Sequence, residues 1–202
     1  MTTPLALAAA AALFVCRLGL FALLHLRPGG IDPLRHAVSD YARSTSPATR
    51  RLATAASRAA AAAWAVLGLA ALTVPAPARS VPLGLWLLAL AAVLATMPHV
   101  PTDGPGAETT PLGRLHMVLA VAWFTIAYST IGPTGDLLVR LTGAAPPGLA
   151  LLDHVAAVAL VCLVVSLVVR PLRSRTFGVS ERAFILAVTL APLVSAVALA
   201  RA

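Results

Sequence analysis

"LALLDHVAAVALVCLVVSLVV", residues 149–169, carries an aspartate and a histidine near its start and no other charged residue to its end. A run of about 20 apolar residues spans a bilayer as a helix, at about 1.5 Å of rise per residue. The run lacks the period-two alternation of a membrane β-strand. Inside lipid the backbone must satisfy its own hydrogen bonds, which a helix does within a single segment.

Five more runs of this kind lie at about 5–26, 52–74, 81–99, 112–131 and 183–200. Turn chemistry separates them: Pro28-Gly29-Gly30, Pro75 to Pro82, Pro98 to Pro111, Gly132 to Gly148, and Arg170-Pro171. Of 202 residues, 59% are hydrophobic and 11% charged, whereas soluble domains carry about 25% charged residues. Such a chain needs lipid as its solvent. The expected fold is all-α, a polytopic transmembrane helical bundle of six spans with a short interfacial helix after the first. Residues 1–202 form a single integral-membrane domain, placed as a multi-pass protein in the inner (plasma) membrane.

"MTTPLALAAAAALFVC" has no positive n-region, and Val15 before Cys16 does not suit a lipoprotein cleavage site, so this segment reads as a retained first helix. Cys16 and Cys162 fall inside spans, where they behave as small apolar residues. Trp64, Trp86 and Trp123 sit well inside theirs and are expected to pack between helices. The net charge of +8 comes from fifteen arginines and no lysine. These are scattered through membrane loops and not gathered on one soluble face, which argues against a nucleic-acid partner. Arg27, Arg35, Arg43, Arg50 and Arg51 follow the first span, and Arg170, Arg173, Arg175 and Arg182 follow the fifth. Only Arg79, Arg140 and Arg201 lie on the other side, so the positive-inside rule places the arginine-rich side in the cytoplasm. Mid-span Arg17 is expected to face the bundle, with Asp153 as its candidate partner.

Polarity concentrates in "DPLRHAVSDYARS", residues 32–44. Asp32 as N-cap and Pro33 as first residue predict a helix over 33–43. A period of 3.6 then puts Leu34, Val38 and Tyr41 on one face and His36, Ser39, Asp40 and Arg43 on the other. Ser46-Pro47 and Thr110-Pro111 read as caps of the second and fourth spans. Asp103 sits in a Gly-Pro turn, and His116 lies about 6 Å into the fourth span, a depth at which an ionisable group usually faces the bundle interior. Asp40 and His36 thus come from one loop and Asp103 and His116 from another on the same membrane side, and the four are expected to converge on one pocket.

"PGGIDPLRHAVSDYA" (28–42), "PTDGPG" (101–106), "GRLHMVLA" (113–120) and "GVSERAF" (178–184) together resemble the six-span bacterial and archaeal membrane proteins grouped as domain-of-unknown-function family 998. The resemblance covers nearly the whole chain. It implies six helices and a membrane location, marks Ser39-Asp40, Asp103, His116 and Glu181-Arg182 as recurring polar positions, and supplies no reaction.

Two classes of function fit this set. In the first, Asp40, His116, Asp103 and His36 are catalytic in a membrane-embedded hydrolase, transferase or cyclase/isomerase acting on a lipid or isoprenoid. The same four are the candidate ligands for a divalent metal such as zinc, or they work by acid–base chemistry alone. The set loosely resembles the seven-span ceramidase and adiponectin-receptor superfamily, but the paired histidines of that superfamily's last helix are missing. In the second class the protein is a non-catalytic lipid-binding, transport or structural protein. There Arg35, Arg43 and Arg114 hold an anionic headgroup, and Ser39, Tyr41, Glu181 and Arg182 complete the binding set. Either way the expected partners are membrane lipids or a lipid-like small molecule; the oligomeric state stays open.

Overall fold

The computed structural model describes residues 3–27, 29–74, 77–104 and 107–201, and only the backbone at Thr3, Pro77, Arg170 and Ser174. Pro28 and Pro75, expected in turns, lie outside the described residues, as do Ala76, Pro105 and Gly106; residues 77–82 of the turn expected from Pro75 to Pro82 are helical instead. The regular elements described are all helical. They are α1 (Thr3–Leu26), a 3-10 cap helix (Val38–Arg43), α2 (Pro47–Leu72), α3 (Pro77–Thr96), a single 3-10 turn (Met97–His99), α4 (Pro111–Ser129), α5 (Ile131–Thr142), α6 (Leu149–Val168) and α7 (Arg170–Arg201). Among the described residues, six helical stretches are long and apolar enough to cross a membrane, with α4 and α5 counting as one. The protein is a multi-pass membrane bundle.

Local chemistry starts the spans where it should. The Ser46 hydroxyl accepts from Thr49 N at 3.4 Å and Pro47 opens α2. The Thr110 hydroxyl accepts from Gly113 N at 3.0 Å and Pro111 opens α4. Each pairing satisfies an orphan N–H and places proline where no donor is needed.

Along α1 the buried side chains Ala10, Phe14, Arg17, Phe21 and Leu24 recur every three or four residues, while Leu5, Val15, Leu23 and Leu26 face outward. Phe14 meets Trp64 of α2 edge to face at 5.2 Å. Trp123 and Phe124 of α4 pack on Phe184 of α7 at 5.8 and 5.2 Å. Where α2 crosses α3 the backbones approach closely: a Cβ on Gly84 would lie 2.9 Å from the Gly68 carbonyl oxygen. Small residues at such crossings are how membrane helices gain contact when lipid removes the hydrophobic drive between them. The outward valines of α6, Val155, Val158, Val161, Val164 and Val168, form an apolar face suited to lipid chains.

Several expectations need correction. Residues 132–142 are not loop but helix α5, which ends at Gly143 in the left-handed conformation (φ 81°). The break lies at Thr130, between α4 and α5. Pro133 accounts for it, because it has no N–H for the carbonyl of Ser129 and its ring crowds that carbonyl. Arg170 and Pro171 are likewise helical, as the first residues of a 32-residue α7 that starts well before residue 183. Proline in a first turn is compatible with helix. Residues 33–43 do not form one α-helix: Asp32 caps a turn, the backbone extends at Ala37 (ψ 155°), and a 3-10 helix follows. Trp64 and Trp123 are buried as expected, but Trp86 is half-exposed and donates to Ser129 Oγ at 2.8 Å. Arg17 does face the bundle, yet it forms no ion pair with Asp153; its guanidinium lies 5.6 Å from the ring centroid of Phe21.

Candidate functional site

The ends of α1, α3 and α6 and the starts of α2, α4 and α7 meet at one end of the bundle, where the first loop folds across α7. Gly178 makes this approach work. A Cβ there would lie 2.7 Å from the carbonyl oxygens of both Pro33 and Leu34, so only glycine lets the loop sit on the helix. One turn further along α7, Glu181 and Arg182 are both buried. Glu181 Oε2 accepts from Val38 N at 2.7 Å. Arg182 Nη1 donates to the His36 carbonyl at 2.8 Å and the Gly178 carbonyl at 2.9 Å, and Nη2 lies 3.4 Å from the Tyr41 hydroxyl. Its Nε donates to Nε2 of His25 at 2.8 Å. The Tyr41 side chain is wholly buried, with its ring 5.6 Å from the guanidinium carbon. Charged groups removed from water at the membrane edge are thus met by hydrogen bonds, as burial requires.

The second half of this polar end is built on the loop before α4. Asp103 accepts from Thr110 Oγ1 at 2.7 Å and from Thr110 N at 3.0 Å. Gly113 leaves the room, since a Cβ there would overlap the Asp103 carboxylate. The Thr110 hydroxyl bond, then the Thr110 N–H, and more weakly the charges of Arg43 and His116, hold the Asp103 carboxyl below the usual carboxylate range. His116 is buried, and its Nδ1 lies 2.7 Å from the Val100 carbonyl. Arg43 joins the two halves: it pairs with Asp40 at 3.8 Å and its guanidinium packs beside Gly104.

The structure therefore places Asp40, His36, Asp103 and His116 at the same end of the bundle, each engaged with nearby backbone. Asp40 Oδ2 accepts from Ala37 N at 3.0 Å, and His36 Nδ1 accepts from Asp32 N at 2.9 Å. Among the described residues, no three histidine, cysteine, aspartate or glutamate side chains are grouped so as to hold a metal ion. Arg35 is exposed and lies 3.6 Å from Asp32. Ser39 is half-buried on the cap helix and Arg114 is exposed on α4. Asp153 and His154 sit at the far end, with His154 Nδ1 2.6 Å from the Ala150 carbonyl.

Two features escaped the sequence reading. His25 looked like one polar residue closing an apolar run; its place in the last turn of α1, four residues after Phe21, was the available signal. Arg50, Arg51 and Arg58 served only as votes on sidedness or as scattered polar residues, yet they share one open, outward strip of α2 with Pro47, Thr54 and Ala55.

A family model described as a protein of unknown function (DUF998) matches residues 6–198. The chain belongs to the DUF998 family. No curated protein and no solved structure matches it. In this DUF998 protein two polar segments, 32–44 and 178–182, lock together over the end of the bundle.

Proposed function

We propose that this DUF998 protein is a non-catalytic lipid-binding membrane protein that holds anionic phospholipid headgroups against the outer face of α2. The observation that carries the reading is the cluster of exposed arginines Arg50, Arg51 and Arg58 on one outward strip of α2. These arginines lie on the side of α2 opposite its buried stripe of Ala56, Ala60, Ala63, Trp64 and Leu67, so they face lipid or the lipid surface and not the core. Arg50 Nη1 is fixed by the Ser44 and Thr45 carbonyls at 2.7 and 3.2 Å. Neither Arg51 nor Arg58 has a carboxylate within ion-pairing distance among the described residues. The same side of α2 continues into the span through half-buried Ala62 and exposed Leu69. In this reading Arg50 and Arg51 meet the headgroup, Arg58, two turns deeper, reaches back toward it, and an apolar track for acyl chains runs beneath.

The catalytic alternative, a lipid hydrolase, transferase or cyclase worked by Asp40, His36, Asp103 and His116, is the weaker reading. Their side chains already brace the loops that carry them. Arg35 and Arg43, expected to hold the headgroup, are each paired with an aspartate one turn away.

Native mass spectrometry of the detergent-purified protein, titrated with phosphatidylglycerol and with phosphatidylcholine, tests the reading. Phosphatidylglycerol should stay bound at collision energies that strip phosphatidylcholine. At about 1 kcal/mol per arginine near the surface, a triple Arg50→Gln/Arg51→Gln/Arg58→Gln variant should lose about a hundredfold in preference. Equal retention of the two lipids, or an undiminished preference in the triple variant, would refute it.

A further inference from the structure

We infer that His25 and Arg182 form a proton-sensitive latch that holds the first loop closed over the end of the bundle. Both ring nitrogens of His25 are committed. Nδ1 lies 2.7 Å from the Phe21 carbonyl, which only accepts, so Nδ1 carries the hydrogen. Nε2 lies 2.8 Å from Arg182 Nε, which only donates, so Nε2 presents its lone pair. The geometry admits one protonation state, the neutral ring with hydrogen on Nδ1. A proton added at Nε2 removes the acceptor of Arg182 Nε–H and sets an imidazolium against a guanidinium, each now a donor facing a donor.

The surroundings decide what gives way. From α7 the charged groups at this corner are Arg182 itself and Glu181, which is within electrostatic reach of Asp40. From the cap helix come Tyr41, its ring 6.0 Å from that of His25, and Asp40; His36 contributes its carbonyl to Arg182. The α2 residues packed here, Leu52, Ala53 and Ala56, are apolar. Among the described residues, no carboxylate is hydrogen-bonded to His25 to hold its proton in place. Arg182 relieves the conflict by turning away, and its bond to the His36 carbonyl goes with it. The loop segment from His36 to Tyr41 is then held to α7 chiefly by the Val38–Glu181 bond. Protonation opens the cap; neutral His25 closes it. The inference does not depend on lipid binding, although Ser44 and Thr45, which fix Arg50, directly follow this segment.

The test uses the full chain in lipid nanodiscs, with Cys16 and Cys162 replaced by alanine and nitroxides at the exposed positions Arg35 and Ala95. Spin-label distances are recorded from about pH 8 to about pH 5, bracketing the histidine range. The expected result is one narrow population at high pH and a second, longer one appearing on acidification. In His25→Gln, whose amide oxygen still accepts from Arg182 but does not titrate, the longer population should be absent throughout. Nitrogen-15 spectra of histidine-labelled protein with native His25 provide a readout that needs no working variant. His25 should appear as a pure Nδ1–H tautomer at high pH and lose that signature as the longer population grows. Identical distance changes in His25→Gln, or an Nε2–H tautomer at high pH, would overturn the latch.

Discussion

Asp103 shows how one side chain fixes the start of a span. Its two bonds to Thr110 reach the residue whose own hydroxyl caps α4, and they hold the carboxyl below its usual range. A depressed carboxylate lends stability that is fully present above its unfolded pKa, about 3.9, and is lost as pH falls through the lower folded value. The thermal midpoint of the native protein in detergent should therefore exceed that of Asp103→Asn near neutral pH, and the gap should shrink in strong acid. A gap independent of pH would show that the charge contributes nothing. The Thr110-Pro111 cap was legible because caps and their prolines are local signals, and the burial of His116 was legible from its depth in the span; the bonds from Asp103 to Thr110 were not read. Arg182 bonding to His25 was not. Those residues are 157 positions apart, and no local pattern reports which histidine the guanidinium will meet.

The cap helix and α7 depend on one another. Gly178 sits beneath the carbonyls of Pro33 and Leu34, so Gly178→Ala forces either the loop or the helix to move. Overpacking of this kind costs about 1 to 3 kcal/mol. Combined with Arg182→Met, the losses should fall short of additive, because both act on one contact. Strict additivity in thermal denaturation would separate them. The six spans were legible because apolar length is read directly from sequence; of the expected apolar face of residues 33–43, Tyr41 is buried and Val38 half-buried, but Leu34 is exposed. The α5 helix was missed because Gly132, Pro133 and Gly135 look like a loop. They instead break the long span at Thr130 and let it resume. The 33–43 segment was read as α-helix from its 3.6 period, but Glu181 and Arg182 draw the Val38 N–H and the His36 carbonyl out of any helical pattern.

Across the whole molecule, the polar loops and most charged residues gather at the two ends of a lipid-facing bundle, with Arg17 buried in mid-span, and the two ends are very unequal. One end carries the braced loops, the buried Glu181 and Arg182, and the arginine strip of α2; the other carries Arg79, Arg140 and the Asp153–His154 pair. The proposed headgroup site and the latch both require that the first loop, the loop before α4 and the start of α7 lie on one membrane face. An impermeant thiol reagent tests this directly, on single cysteines at the exposed positions Thr45, Ala107, Arg173 and Ala144 in a background lacking Cys16 and Cys162. Cysteines at 45, 107 and 173 should behave alike, and the positive-inside rule expects them protected in intact cells and reactive in inverted vesicles, with 144 the reverse. If 45, 107 and 173 divide between the two sides, or 144 labels with them, the single polar face does not exist.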